Sequence, residues 1–156
     1  MTPQLLQPPH LIIAPELSSV LTRQLNRADH ITTKLAISFN HQDYFHTRLG
    51  PHPSEIQLER KPKDNLWHLC LIASFAYEEP TSSNLDVELL FDSIKRQFYQ
   101  PDIGYCEIEQ PKVQLLFQAW QSAFLSHLNN HQFDEINLTI MKYHIDTTDN
   151  ALCIKP

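Results

Sequence analysis

The sequence predicts an α+β fold: a mostly antiparallel sheet of about five strands, with two helices packed on one face as a two-layer sandwich. Three observations carry this expectation. Two stretches repeat apolar residues every three or four positions, as one face of a helix requires. Several shorter stretches alternate apolar and polar residues, as a half-buried strand requires. Their order (helix, four strands, helix, strand) suits hairpin-linked strands better than helical crossovers.

Residues 1–14 carry Pro3, Pro8 and Pro9 and no periodicity, which reads as an extended arm. Pro15 suits the first position of a helix, where a missing N–H costs nothing. Leu17, Val20, Leu21, Leu25 and Ala28 then form one stripe over about 16–28. Residues 31–39 change to a period of two, with Ile31, Thr33, Leu35, Ile37 and Phe39 on one face. Residues 40–53 break the pattern and end in Gly50-Pro51-His52-Pro53, a loop long enough to be a functional candidate. Ile56 and Leu58 mark a second strand, and Pro62-Lys63-Asp64-Asn65 a turn. Trp67, Leu69, Leu71, Ala73, Phe75 and Tyr77 mark a long third strand whose other face is also small or apolar, so it is expected in the middle of the sheet. After the loop 78–84, Leu85, Val87, Leu89 and Phe91 favour a fourth strand over a competing helix that would run on through Ile94 and Phe98. Pro111 opens a helix of about 111–128 with the stripe Val113, Leu116, Phe117, Trp120, Phe124 and Leu128, which places Trp120 in the core. Asn129-Asn130 ends it, and Ile136, Leu138 and Ile140 form a last strand. The organisation expected is an arm at 1–14, one domain at 15–146 and a tail at 147–156.

Composition narrows the function classes. The chain has 156 residues, 42% of them hydrophobic, which suffices for a self-contained core. Its formal net charge of −6, without a basic stripe, argues against nucleic acid as a partner. Only Gly50 and Gly104 are present, so no Walker loop, GxGxxG or GxSxG can be written. No apolar run approaches the ~20 residues of a membrane span, and no signal peptide is recognisable. Cys70, Cys106 and Cys153 are sparse and odd in number, which fits a reducing, cytoplasmic setting. Asn137-Leu138-Thr139 spells a glycosylation acceptor by chance, inside a strand.

Three segments, His52-Pro53-Ser54-Glu55-Ile56, Ile72-Ala73-Ser74-Phe75-Ala76-Tyr77 and Leu116-Phe117-Gln118-Ala119-Trp120-Gln121-Ser122-Ala123-Phe124, resemble in that order a family of short uncharacterised bacterial proteins, a domain of unknown function. The HPxEI and LFxxWQxxF patterns are specific together and weak alone, and the resemblance spans about 37–140. Ser74 stands where that family prefers an acidic residue, and Leu49-Gly50-Pro51 replaces a more glycine-rich approach. The resemblance implies a compact fold and supplies no activity.

Nine histidines raise the question of metal. His41, His46 and His52 share the first loop, and His127 and His131 are four apart, the spacing of one helical face. No HExxH or cysteine pair accompanies them, so no metal and no cofactor is expected. A Cys106–His nucleophile pair is disfavoured, because Cys106 is expected in a loop at the opposite end of the sheet from most histidines. In a meander the first and third strands run the same way, so loops 40–53 and 78–84 share one end of the sheet, which the C-terminus of the long helix also reaches. Flanked by two prolines, His52 is the best restrained imidazole. The expected site is His46, His52, Tyr77 and Glu78, binding an unidentified protein or small molecule without catalysis. A small hydrolase or metal-dependent enzyme at the same rim is the alternative.

Overall fold

The computed structural model describes residues 2–145; the tail read at 147–156, with Cys153, lies outside them. The elements run β1 (Gln4–Leu5), α1 (Pro15–Leu25), β2 (Thr32–Asn40), α2 (Tyr44–Thr47), β3 (Ser54–Glu59), β4 (Leu66–Tyr77), β5 (Leu85–Asp92), β6 (Gln97–Gln100), β7 (Gly104–Glu107), α3 (Pro111–Asn129) and β8 (Glu135–Tyr143). This is an α+β fold with a mostly antiparallel sheet, but of eight strands where about five were expected. The additions are β1, which pairs parallel with the start of β4, and the short β6 and β7. Four residues are too few to display a period, and Gly104, at φ +80, lies where β6 turns into β7. A third helix, the single turn α2, interrupts the loop 40–53.

The strand order is β7-β6-β5-β4-β3-β2-β8, so β8 returns from α3 to pair antiparallel with β2. One cross-strand row, Leu138, Ile37, Ile56, Ile72, Phe91, Phe98 and Cys106, crosses that whole order. The row packs into one core with Leu17, Leu21 and Leu25 of α1 and Val113, Phe117 and Phe124 of α3. Rings interlock there: Phe91 lies 5.2 Å from Phe117 and Phe39 4.9 Å from Phe124, both edge to face.

Two expectations about the core are corrected. The uniform alternation along β4 does not hold, because the ladder skips Cys70: Gln57 faces Leu71, yet Leu58 faces Leu69. A bulge of this kind shifts the pleat by one residue. Trp67 and Leu69 therefore enter the core before the bulge and Ile72 after it, while Leu71 and Phe75 are only half-buried. Trp120 is likewise half-buried, and Gln121 takes the inward place on α3. The reason is the N-terminal arm, which needs hydrogen-bond partners. Gln121 Oε1 accepts from the Ala14 N–H, and Gln118 and Gln121 both donate to the Ile12 carbonyl. Gln114 donates to the carbonyls of His10 and Ile108. Leu11 and Ile13 of the arm are buried between these polar ties.

Candidate functional site

The C-terminal ends of β2 and β4 lie at the same end of the sheet, beside the start of β3 and β5. That end is organised around His52. Pro51 and Pro53, both buried, hold its backbone extended. Gly50 precedes them at φ +95, and a Cβ there would meet His41 Cδ2 at 2.6 Å, so the chain needs glycine to pass. Buried Tyr44 of α2 packs between His52 and Tyr77, with centroids 4.9 and 5.6 Å away, and its hydroxyl accepts the Tyr77 N–H.

Glu88 completes the arrangement. Ser74 faces Leu89 while Phe75 faces Val87, so Glu88 is the residue the β4–β5 ladder skips. A bulged residue escapes strict alternation, and bulges are common where a side chain must be re-aimed. The Glu88 carboxylate lies 2.8 Å from His52 Nδ1 and accepts the Ser74 hydroxyl at 2.9 Å, both through Oε2. The hydrogen bond to Glu88 raises the His52 pKa above its ordinary value, against a smaller opposing effect of burial. Burial works against the Glu88 carboxylate, but the hydrogen bonds and charge of His52, helped by Ser74, outweigh it and hold its pKa below the ordinary value. Bonding at Nδ1 leaves Nε2 as the ring nitrogen offered to a ligand.

This polar group lines a groove of about 400 Å³ between the sheet and α3. Leu116, Ala119, Trp120, Ala123 and His127 of α3 form one wall. Trp120 is stacked on Phe124 at 5.0 Å and 20° and on Phe117 at 6.0 Å, which fixes the indole as a flat apolar surface.

The structure brings His52 and Tyr77 together through Tyr44, and Glu78 lines with them a second hollow on the opposite side of the rim. His46 is exposed on α2 and lines neither hollow. His41 and His127 are both tied to Gln132: His41 Nδ1 meets its carbonyl at 2.8 Å and His127 Nδ1 its side chain at 2.7 Å. His131, at φ +57, has left the helix. Among the described residues no three His, Cys, Asp or Glu side chains are grouped to hold a metal ion. The Cys70 thiol is pushed up to about 12, chiefly by burial. The site expected from the sequence leaves out Glu88 and Tyr44. Nothing in one sequence reveals the bulge that re-aims Glu88, and Tyr44 sits in a turn too short to show a period.

Fold and site together define a small α+β protein with a mostly antiparallel sheet and, at its rim, a groove lined in part by the His52–Glu88 group; among the described residues, no helix is long and apolar enough to cross a membrane. The chain belongs to the family described as protein of unknown function (DUF2787), whose model matches residues 15–139. It is similar in structure to a hypothetical protein from the VSP-II pathogenicity island of Vibrio cholerae, with TM-score 0.79 and 22% identity over 89% of this chain and 99% of that one. A conserved hypothetical protein from the VPI-2 island of Vibrio cholerae O1 biovar eltor is similar too, with TM-score 0.71 and 29% identity over 83% and 96%. That protein is described as sharing structural homology with a human protein. No curated protein sequence matches the chain.

Proposed function

We propose that the protein is a binding module without catalytic turnover, with α1 and α3 forming one layer over the sheet and the ligand lying in the seam at the rim. The observation that carries this reading is the His52–Glu88 pair, 2.8 Å apart, in the lining of a groove that Trp120 also walls. A flat apolar body would lie on the indole while its polar head meets His52 Nε2. Pockets of this size with a few convergent polar groups are characteristic small-molecule sites. Thermal-shift titration with phenol, benzoate and indole tests it. At least one should raise the melting temperature of the wild type, and His52→Ala and Trp120→Ala should each abolish that increment. An increment unchanged in both variants, or none with any probe, rejects the groove.

General acid–base chemistry at His52 is the second reading, favoured by the same Nδ1–carboxylate bond. It ranks second because the Ser74 hydroxyl donates to Glu88 and not to the imidazole, so Ser74 is not set as a nucleophile for His52. Hydrolysis of p-nitrophenyl acetate by the wild type, lost in His52→Ala, would reverse the order.

A further inference from the structure

The face of the sheet turned away from the core row carries a second hollow, of about 810 Å³, formed where β4 to β7 meet the rim. Such a face is usually polar; here it presents Leu90, Tyr99 and Tyr105, which are cross-strand neighbours, with Tyr77 at the edge. Tyr99 and Tyr105 pack at 4.8 Å, and Tyr105 is 64% exposed. Exposed tyrosines grouped in a concavity mark interaction surfaces, since each offers a rigid ring with a polar tip.

The charge around them gives the sign of the partner. Glu78, Asp86 and Asp102 line the hollow, are exposed, and make no ion pair among the described residues. Glu88 also lines it but is already matched by His52. The molecule itself shows what a ring of this hollow accepts. The Arg48 guanidinium lies 3.5 Å from the Tyr77 centroid, while its nitrogens donate to the carbonyls of Phe45 and Ser82. Guanidinium over tyrosine, with carboxylates at hand, is the arrangement that cation–π and charge-assisted contacts favour.

We infer that this tyrosine-lined face docks an arginine-containing basic segment of a partner protein, independently of the groove beside α3. Three free carboxylates spread over the end of β4, the start of β5 and the β6–β7 turn suit several cations along a chain rather than one small cation. Beside them β7 is the outer strand of the sheet order, so its open backbone edge can pair with an extended peptide.

The test is titration calorimetry of the full chain with a peptide of alternating Gly and Arg. Binding should weaken at least tenfold in Tyr105→Ala and in the double variant Asp86→Asn, Asp102→Asn. It should also weaken steeply with salt, and should be unchanged in Trp120→Ala, which separates this face from the groove. Because Tyr105 is exposed, its variant should keep the wild-type melting temperature. No binding to the wild type overturns the inference. So does an equal loss in the charge-matched control Glu16→Gln, Asp29→Asn, which would mean unspecific attraction. Free arginine binding as tightly as the peptide would make the face a small-cation site and overturn the assignment of a protein partner.

Discussion

Replacing Glu88 by alanine removes the one acceptor shared by His52 and Ser74. The two partners lose different amounts. Ser74 is 5% exposed, so its hydroxyl is left without a partner where water hardly reaches, at a cost of about 1–3 kcal/mol. The His52 and Glu88 side chains are 40% and 36% exposed, so solvent screens the ion pair to below ~1 kcal/mol. Buried hydroxyl therefore outweighs ion pair, and Glu88→Ala should lower the melting temperature by roughly 3–9 °C in a domain of this size. Glu88→Gln keeps an oxygen for Ser74 and loses only the charge, so it isolates the pair. The raised His52 pKa gives stability that is complete below the ordinary 6.5 and fades as pH climbs through the folded value. The depressed Glu88 pKa gives stability present above the ordinary 4.5 and lost as pH falls through its folded value. The gap between wild type and Glu88→Gln should thus be widest between these ordinary values and narrow on both sides. Melts followed by circular dichroism at pH 3, 5.5 and 9 measure it. A gap that stays constant, or grows toward pH 9, refutes the pairing.

Acrylamide should divide the tryptophan emission in two: Trp67, fully buried, resists quenching, while half-buried Trp120 is quenched, and Trp120→Ala removes only the accessible component. Gly50→Ala should destabilise by more than ~1 kcal/mol in urea titration, because the new Cβ meets both a positive φ and the His41 ring; a neutral substitution would show that the ring can move aside.

Where a segment both repeats cleanly and packs one face, the sequence was legible. The alternation in 31–39 became β2, the stripe opened by Pro111 became α3, and the contested stretch at 85–91 proved to be β5. The direction of the strands followed, and with it the common end that holds His52 and Tyr77. Illegible were the departures from regular pleating. The bulges at Cys70 and Glu88 depend on how a neighbouring strand runs, so local periodicity mis-faced the second half of β4 and could not single out Glu88. Trp120 and Gln121 were misassigned for a related reason. Hydrophobicity ranks the indole as the inward residue, but the inward surface there is an arm of unpaired amides and carbonyls, which only a polar side chain satisfies.

The glutamine ties between α3 and the arm also order events during synthesis. Gln121 and Ala14 lie 107 residues apart in the chain, and β2 waits as long for β8. On a ribosome, the arm and α1 emerge with nothing to close on, and one edge of β2 stays open until β8, the last described strand, appears. Contacts this distant are slow to form, because loop closure must precede any gain from them. The nascent chain therefore carries Leu11, Ile13 and the β2 edge uncovered until α3 and β8 have emerged, an interval in which a holding chaperone has a defined surface to grip.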